Sequence, residues 1–519
     1  MDRPVGNRLA TVLDEKAAAA PSAPAIFYRG DRIDYAELQG RSIEAARAFL
    51  AAGVVRGDRV GVLLGNQPEF VILALAASYV GATLVPMNTW YKAGELGWTM
   101  RHAGVKLLIA VPAFLKADYR AMLGGLTDLP KLRTVLFLDS PEWAAFLAAG
   151  RRLDGATFAA ATAAVRGDDD AFILYTSGST ADPKGVRLNG AGVVRNGFEL
   201  GLRRGIVAED RVWIGTPLFY GLGAANALPA AITRGAAIVL QDHFEAGAAI
   251  DVIHRTAATV YYGTGNMTRA MLDHPDYAQV KIGSLQKGNA GTVAEYKRMT
   301  LVEMGIKGAV PAYGLTESYG NATVGWPDDP LEAKIATSGF VLPTMEMRIV
   351  DPVSGADLPT GEVGLVLLRG CVTPGYLDNP IETAKAFKAD GWFDTGDLGR
   401  LDGDGRFTFH ARLKEVIKSG GINVSPVEVE QLIAGHPEVR DAYVVGVGDP
   451  VRGELVVAFV DAAAPLKEAE VRAYVKERAA AFKVPHHVFF RDEAGLPRLA
   501  SGKVAKHRLA EEARAELGL

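Results

Sequence analysis

Apolar and polar positions alternate between strand-like and helix-like patterns along the first part of the chain. Residues 25–28 predict a short strand, and residues 34–51 have helical periodicity with Asp34 as the candidate N-cap. The apolar runs at residues 59–64 and 107–110 predict two buried strands. Strands that alternate with helices indicate a parallel sheet with helices packed on it.

The same alternation resumes after residue 186. Its clearest predicted strands are residues 212–215, 237–240 and 259–262. Residues 141–170 are rich in Ala, Gly and Asp, and we predict a connection there. The most apolar long stretch, residues 71–87, is interrupted by polar residues and falls short of the roughly 20 apolar residues of a membrane span. A buried helix that runs into a buried strand is therefore the better interpretation.

The pattern changes near residue 345. Short apolar runs at residues 347–350 and 363–368 lie between turn sequences, which is typical of a small, mainly antiparallel unit or barrel. Beyond residue 415 the spacing predicts a compact α+β unit. Its predicted helices and strands are residues 426–434, 442–447, 454–461, 466–481 and 487–490.

Composition narrows the class of protein. A chain of 519 residues is too long for one compact core and suits two or more domains. Its 56 basic and 60 acidic residues give a net charge of -4, and no basic block predicts nucleic-acid binding. Cys371 is the single cysteine, so an internal disulfide and a multi-cysteine zinc site are excluded and a reducing cytoplasm is expected. Asp14 and Glu15 interrupt the first residues, which do not resemble a signal peptide.

The strongest candidate for chemistry is the segment that follows the apolar run at residues 171–174. Lys184 ends a stretch of small and hydroxyl residues whose side chains and backbone N–H groups can surround phosphate oxygens. These residues are Thr176, Ser177, Gly178, Ser179 and Thr180. Pro183 and Gly185 stand where a P-loop NTPase needs Gly and Ser or Thr, so this is another kind of phosphate loop. The alternative is a Ser/Thr-rich surface turn.

Several later segments carry candidate residues, each with a structural alternative. Thr316 and Glu317 put a hydroxyl beside a carboxylate, which suits a magnesium ion that also binds phosphate, or else the start of a helix. Asp397 lies in a glycine-bounded turn, where it can accept ribose hydroxyls or cap its own backbone. Lys503 follows a Ser-Gly turn and is, by itself, a solvated lysine. Glycine clusters at residues 263–265 and 288–291 are either close-approach sites for a ligand or tight turns.

Residues 176–185, Thr-Ser-Gly-Ser-Thr-x-x-Pro-Lys-Gly, resemble the signature loop of the adenylate-forming superfamily. That superfamily contains acyl- and aryl-CoA synthetases, adenylation domains and beetle luciferases. Its other motifs follow in order over nearly the whole chain, at residues 313–317, 395–397, 417–430 and 501–503. The resemblance implies an α/β fold, with a large N-terminal domain of αβαβα-type sheets and a small β-barrel-like unit. A small, mobile α+β C-terminal domain is expected to follow.

The same resemblance implies domain bounds and a role for each matching residue. The large domain would span residues 1–413 and the small domain residues 414–519, with the hinge at Lys414. Implied catalytic residues are Thr176, Lys184, Glu317 and Lys503. Implied ATP and AMP contacts are Thr176 to Thr180, Lys184, Gly288, Asn289, Ala290, Tyr313, Gly314, Thr316, Asp397 and Arg412. Glu317 and Thr316 would serve Mg²⁺. The acyl pocket would include Tyr220, Gly221, Gly263, Gly288, Gly314 and Gly320, and CoA would pass Ser419, Gly420 and Gly421.

The chain departs from the superfamily pattern at a few positions. Ala181 replaces the usual Gly, and Ala411 replaces the Gly or Asp that usually precedes Arg412. Many members have a His a few residues past the Lys-Gly pair; this chain has none there, so no such role is inferred. Amino-acid-activating relatives have an Asp at the position of Tyr220, which counts against an amino-acid substrate.

The resemblance implies an ATP-dependent carboxylate–CoA ligase that uses ATP, Mg²⁺ and CoA and passes through an acyl-AMP. Glycine-rich strand ends and Tyr220 favour an aromatic, alicyclic or medium-chain acid. One alternative is an adenylation enzyme that loads a carrier protein in trans, although the absence of a carrier domain after Lys503 favours CoA. The other alternative is a non-catalytic protein that binds or senses a nucleotide. We expect a cytoplasmic enzyme without an integral membrane segment, and a homodimer is the working assumption.

Overall fold

The computed structural model describes residues 3–176, 183–419, 422–499 and 503–519. Two large sheets dominate its first part. In the described residues the first sheet has seven strands, parallel except for an antiparallel edge hairpin. Its strands in spatial order are Gly308–Val310, Lys287–Asn289, Val260–Tyr262, Arg211–Ile214, Ala237–Leu240, Pro24–Tyr28 and Asp31–Asp34.

The second sheet has six strands in the described residues and is also mainly parallel; the strand that carries Lys184 is antiparallel at one edge. Its strands in spatial order are Lys184–Asn189, Asp170–Thr176, Thr83–Pro86, Arg59–Leu63, Val105–Ala110 and Thr134–Phe137. A small hairpin pairs Ala113–Phe114 with Ala117–Asp118. The predicted parallel sheets are therefore confirmed.

Alternating side chains on these strands show that both faces of each sheet are buried. On the strand Arg211–Ile214, Val212 and Ile214 belong to the central core, whereas Trp213 packs on the opposite face. Leu107 and Ile109 likewise face the central core, with Leu108 on the other side. Helices contribute to the same central core, so one helix layer lies between the two sheets and further helices cover the outer faces. This arrangement is the predicted αβαβα layering.

Helices connect the strands throughout the large domain. Five of them supply the central layer: Leu9–Ala19, Tyr35–Ala51, Pro68–Val80, Gly190–Arg203 and Leu228–Arg234. The other α-helices before residue 413 are Ala93–Ala103, Tyr119–Gly124, Pro141–Arg152, Gly155–Ala163, Ala246–Thr256, Gly265–Leu272, Gln279–Ile282, Ala294–Arg298, Leu331–Ala336 and Pro380–Ala386. Two π-helices, Leu222–Ala227 and Met299–Glu303, adjoin α-helices, and Thr316–Ser318 is a 3₁₀ helix. Asp34 caps its helix as predicted, because its Oδ1 accepts from the N–H of Glu37 at 2.8 Å.

The predicted connection at residues 141–170 is wrong, because two helices occupy most of it. Ser140 caps Pro141–Arg152, and Asp154 caps Gly155–Ala163, each by accepting from a first-turn N–H group. The first of these helices packs on Tyr35–Ala51 at Gly150, where the backbones come into contact. The Ala- and Gly-rich composition that we interpreted as a connection instead allows this close approach.

Antiparallel sheets follow the parallel ones, as predicted. Ala312–Tyr313, Thr323–Val324 and Phe340–Val341 form a small sheet. A four-stranded antiparallel sheet then runs through Met345–Val350, Gly364–Gly370, Phe393–Leu401 and Phe407–Arg412 in the described residues. A single bridge between Phe340 and Arg406 joins the two sheets.

The last part of the chain forms its own α+β unit after a 3₁₀ turn at Leu413–Glu415. Its strands are Ile417–Ser419, Ile422–Val424, Val439–Asp449, Gly453–Ala462 and His487–Phe490. Its α-helices are Pro426–Ala434, Glu468–Arg478 and Lys506–Leu517, with 3₁₀ turns at Ala481–Lys483 and Glu493–Gly495. Separate apolar clusters form its core. No helix in the described ranges has the length and apolarity needed to cross a membrane.

We predict that Gly150→Ala destabilises the large domain. A Cβ atom at this position would lie 2.5 Å from the backbone nitrogen of Ala48, so one helix must shift. We expect the free energy of unfolding to fall by about 1–3 kcal/mol, measured by urea titration. Gly155→Ala is the matched control, because nothing lies within 4 Å of its added Cβ. Equal unfolding midpoints for the two variants would contradict the helix contact.

Candidate active site

Asp397 lies at the junction between the four-stranded sheet and the last α+β unit. It sits on the strand Phe393–Leu401, directly across from Arg412 on the neighbouring strand. This register brings Nε of Arg412 to 3.1 Å from Oδ1 of Asp397. Asp397 is only 2% exposed, so its carboxylate is held in the protein interior next to one exposed arginine.

Tyr313 holds the other oxygen of this carboxylate. Its hydroxyl donates to Oδ2 of Asp397 at 2.7 Å, and its ring packs against Phe407 and Phe409. Burial raises the pKa of Asp397, while Arg412 and the Tyr313 hydroxyl oppose that rise. Among the described residues no well-aligned hydrogen-bond donor reaches Oδ1 of Asp397. This oxygen therefore has capacity to accept from a bound hydroxyl.

Lys503, in the last α+β unit, lies near enough to Asp397 and Arg412 for their charges to act on its pKa. Its carbonyl oxygen accepts from the N–H of Leu499 at 2.8 Å, and Arg498 forms a β-bridge with Val504. The side chain is open to solvent, yet protein atoms crowd it closely enough to lower its pKa. Arg412 lowers this pKa further, and the carboxylates of Glu415 and Asp397 oppose the change.

Glu317 forms the centre of a second group. Its Oε1 accepts from the hydroxyl of Tyr376 at 3.0 Å, and its carbonyl accepts from the N–H of Thr373 at 2.7 Å. Thr316 is not the N-cap of a helix; Leu315 holds that position and its N–H donates to Ser318 Oγ at 2.9 Å. The side chain of Thr316 is thus not used as a helix cap.

Lys184 joins this second group through residues that the sequence patterns did not reveal. Its Nζ lies 2.5 Å from Oε2 of Glu382 and 5.0 Å from the centre of the Tyr376 ring. Asn379 caps the helix that carries Glu382. The hydrogen bond from Lys184, followed by that from Lys385, lowers the pKa of Glu382 to about 2. Thr176 lies directly across from Lys184 in the antiparallel register.

The two groups adjoin, because Tyr313 of the first and Glu317 of the second lie four residues apart in one segment; we call the space between the groups the cleft. Glu317 is near enough to Asp397 to raise its pKa, and Arg412 acts on the pKa of Tyr376. Lys414 lies in the exposed 3₁₀ turn that follows Arg412. Thr176, Lys184, Glu317, Tyr313, Asp397, Arg412 and Lys503 are therefore brought together from five separated segments.

An aromatic wall adjoins the second group. The rings of Phe219 and Tyr220 lie 4.6 Å apart, and Trp90 makes edge contacts with both. Asn88 Nδ2 donates to the Tyr220 hydroxyl at 3.2 Å. An added Cβ at Gly221 would lie 3.1 Å from Oγ1 of Thr316, so this wall continues directly to the Glu317 turn.

Asn66 holds the segment that leads into the aromatic wall. The sequence patterns did not predict this role. This residue is 2% exposed and follows the strand Arg59–Leu63 of the six-stranded sheet. Its amide accepts from the N–H of Leu218 at 2.7 Å and donates to the carbonyl of Thr216 at 2.8 Å. It therefore joins the ends of the two sheets at the base of the aromatic segment.

The acyl-pocket glycines are explained by packing between protein segments. An added Cβ would overlap backbone of Tyr261 at Gly288, the Tyr261 ring at Gly263, backbone of Asn321 at Gly314 and the Asn226 side chain at Gly320. Gly288 also has a φ of +133°, which disfavours other residues. Packing between protein segments, the structural alternative to close approach of a ligand, therefore accounts for Gly263 and Gly288. Their assignment to an acyl pocket stays a prediction.

The remaining predicted contacts divide into three sets. Asn289 is buried and donates to the carbonyl of Gly263 at 3.2 Å, next to the fully buried Ala290. Ser419 is buried in the last α+β unit. Ser177, Gly178, Ser179, Thr180, Gly420 and Gly421 lie outside the described residues.

The described residues suit a magnesium ion only if bound phosphate supplies some of its ligands. The described part of the chain holds no group of three or more His, Cys, Asp or Glu side chains that could bind a metal by itself. Glu317 offers one carboxylate beside the Thr316 hydroxyl. Mg²⁺ is commonly held by one or two carboxylates together with substrate phosphates and water, which agrees with these residues.

Two family models match this chain. The model described as AMP-binding enzyme matches residues 13–377, and the AMP-binding enzyme C-terminal domain matches residues 428–503. An acyl-CoA ligase of Mycobacterium tuberculosis, the 3-[(3aS,4S,7aS)-7a-methyl-1,5-dioxo-octahydro-1H-inden-4-yl]propanoyl:CoA ligase, is 36% identical over 97% of this chain and 99% of its own. The medium-chain acyl-CoA ligase ACSF2 of Danio rerio is 32% identical over 94% of this chain and 85% of its own.

The solved structures agree with these matches. ATP-bound MatB from Rhodopseudomonas palustris is 28% identical and covers 99% of this chain and 100% of its own, with a TM-score of 0.87. The apo form of the same protein has a TM-score of 0.79 and is 29% identical, and the match covers 98% of this chain and 99% of its own. The predicted fold class and the predicted resemblance are both confirmed, and this chain belongs to the AMP-binding family of adenylate-forming enzymes, among the acyl-CoA ligases.

Proposed function

We propose that this chain joins a carboxylic acid to CoA at the expense of ATP, through an acyl-AMP and with release of AMP and pyrophosphate. The observation that carries the proposal is the convergence of Asp397, Arg412, Tyr313, Glu317 and Lys184 from separated segments, beside the unit that carries Lys503. Relatives named as acyl-CoA ligases over nearly the full length support the same reaction class.

The cleft provides contacts for each part of the nucleotide. We assign the ribose hydroxyls to Asp397, whose Oδ1 has acceptor capacity, with Arg412 as its cationic partner. Tyr313 would lie beside the adenine and keep Asp397 oriented. Lys184 and Thr176, at the two ends of the phosphate loop, would contact the triphosphate. Glu317, with Thr316, would hold a Mg²⁺ that neutralises charge on the phosphate oxygens.

The first step requires charge stabilisation rather than a side-chain nucleophile. The substrate carboxylate attacks the α-phosphorus of ATP, the new acyl–phosphate bond forms, and pyrophosphate leaves with the electron pair of the broken bond. Negative charge accumulates on phosphate oxygens, so a cation held in place lowers the barrier. Lys503 supplies that cation to the α-phosphate and the substrate carboxylate.

The second step transfers the acyl group to sulfur. The CoA thiolate attacks the carbonyl carbon of the acyl-AMP, and AMP leaves. Lys503 has no role in this step, so we assign the exposed turn at Lys414 as the hinge about which residues 414–519 rotate away from residues 1–413. That rotation would bring the segment at Ser419 to Gly421 toward the incoming thiol.

The acid is expected to present an apolar body. The wall formed by Trp90, Phe219 and Tyr220 favours an aromatic, alicyclic or medium-chain acid by apolar contact. Tyr220 provides no carboxylate for an ammonium group, which counts against an amino acid. The alicyclic and medium-chain ligases among the relatives support this substrate range.

A panel of carboxylic acids tests the proposal. Benzoate, a cinnamate, cyclohexanecarboxylate and octanoate are each incubated with ATP, Mg²⁺ and CoA, and AMP release is measured together with the thioester. We expect AMP to form with at least one of these acids and to equal the thioester formed. A carrier protein is supplied in place of CoA in parallel. AMP formation that requires the carrier protein would instead favour the carrier-loading alternative, and no pyrophosphate exchange with any acid would contradict both.

Cytoplasmic location and homodimer formation complete the proposal. Both rest on the sequence: the single Cys371 suits a reducing compartment, and the dimer is a working assumption that sedimentation can test.

Lys503→Ala is expected to separate the two half-reactions. Loss of the cation should lower adenylate formation by at least about a thousandfold, because the charge that develops on the phosphate oxygens would lose the cation we assign to it. Thioester formation from a chemically prepared acyl-AMP and CoA should stay within about threefold of wild type. Pyrophosphate exchange measures the first reaction and thioester release measures the second. Equal losses in both would contradict the two-arrangement mechanism.

Tyr313→Phe is expected to weaken ATP binding. The variant removes the only donor to Oδ2 of Asp397 that the described residues show, while the ring packing is kept. A lost hydrogen bond to a charged group of about 1.5–3 kcal/mol corresponds to a KM for ATP raised roughly tenfold to a hundredfold. The KM for the acid should stay unchanged. Tyr35→Phe, which removes a buried hydroxyl bound to the carbonyl of Ala236 away from the cleft, is the matched control.

A further inference from the structure

A hydrogen bond crosses between the two domains away from the nucleotide cleft. The hydroxyl of Tyr296, on the large-domain helix Ala294–Arg298, donates to Oδ2 of Asp441 at 3.1 Å. Asp441 lies on the strand Val439–Asp449 of the last α+β unit. Both side chains are half-buried, so water competes only partly for this contact.

The large-domain half of the contact is fixed in position. The Tyr296 ring lies flat against the start of the helix Gly265–Leu272, where an added Cβ at Gly265 would be 2.1 Å from the ring. Its hydroxyl proton is shared with Asn266 Oδ1, at 2.8 Å. A glycine at position 265 is therefore required for the ring to reach the domain boundary.

The small-domain half is linked to the residues that flank Lys503. Asp441 accepts from the N–H of Ala442 at 2.9 Å and from the hydroxyl of Tyr443 at 2.6 Å. Tyr443 packs in the same apolar cluster as Leu496 and Val504, which lie on either side of Lys503 in the sequence. A displacement of Asp441 would thus be transmitted to Lys503 through Leu496 and Val504.

The charges around the contact agree with close approach of the two domains. Glu295, next to Tyr296, is paired with Arg269 at 3.1 Å within the large domain. Burial raises the pKa of Glu295 to about 7, and the carboxylates of Asp441 and Glu303 raise it while Arg269 opposes them. The charge of Asp441 therefore acts on the pKa of Glu295, a residue of the other domain.

We propose that Tyr296 and Asp441 form an interdomain latch, and that they are positioning residues that hold Lys503 at the nucleotide cleft during adenylate formation. The proposal rests on the proposed two-step function. Rotation about Lys414 for the thiol step would separate Tyr296 from Asp441. The latch therefore stabilises one arrangement of the domains and contributes to one half-reaction only.

Tyr296→Phe tests the latch. The ring still packs on Gly265, but the hydroxyl that reaches Asp441 is lost. We expect kcat of pyrophosphate exchange to fall about tenfold with the KM for ATP changed less than about threefold, since the nucleotide contacts stay intact. Thioester formation from a prepared acyl-AMP should be unchanged or faster. Asp441→Ala should give the same selective loss, with circular dichroism and the melting temperature reporting that each variant is folded.

Tyr277→Phe is the control, because this tyrosine bonds to Gln279 at the exposed surface of the large domain. It should leave both half-reactions at the wild-type rate. The latch proposal would be overturned if the Tyr296→Phe variant catalysed pyrophosphate exchange at the wild-type rate, or if both half-reactions slowed equally. Failure of the proposed function has a different signature, since the wild-type protein would then show no pyrophosphate exchange with any acid.

Discussion

A buried carboxylate beside the junction of two domains is the interaction on which the site depends. Asp397 is removed from water by the four-stranded sheet, and an ionised carboxylate is stable there only if donors and cations compensate for the lost hydration. Tyr313 and Arg412 provide part of that compensation. Arg412 is also the last residue of the sheet before the exposed turn at Lys414. The residues that we propose to bind nucleotide and the proposed hinge are therefore nearly consecutive in the chain.

The elements of the fold were largely predictable because each is specified by a local pattern. Strand periodicity located the two large sheets, and Asp34 was recognised as a cap from its position before a helical pattern. The helix at Pro426–Ala434 was likewise predicted with the bounds that the structure has. The two helices after Ser140 were not, because many alanines and glycines carry no clear amphipathic pattern. Their capping residues, Ser140 and Asp154, were the signal that we did not use.

The motifs predicted which residues meet in the cleft, but not what holds them there. Tyr376 and Glu382 contact Glu317 and Lys184 from about 60 and 200 residues away, and no local pattern encodes such partners. Asn66 is similar, since its two bonds reach a different sheet. For the glycine clusters the sequence left two interpretations open, close approach of a ligand or a tight turn. The structure shows that Tyr261 occupies the space beside Gly288, a contact between neighbouring strands that no local pattern encodes.

The charged residues of the cleft come from both domains. Asp397, Arg412, Lys184 and Glu317 belong to the large domain and are held by contacts within it. Lys503 belongs to the small domain, and crowding by protein atoms lowers its pKa while Asp397 and Glu415 oppose that change. A cation brought into such a site is costly to hold without its anionic substrate, because desolvation opposes it. A contact between the domains outside the cleft, such as that of Tyr296 with Asp441, can offset this cost without binding the cation more tightly. In the proposed mechanism such a contact would leave Lys503 free to depart once the adenylate has formed.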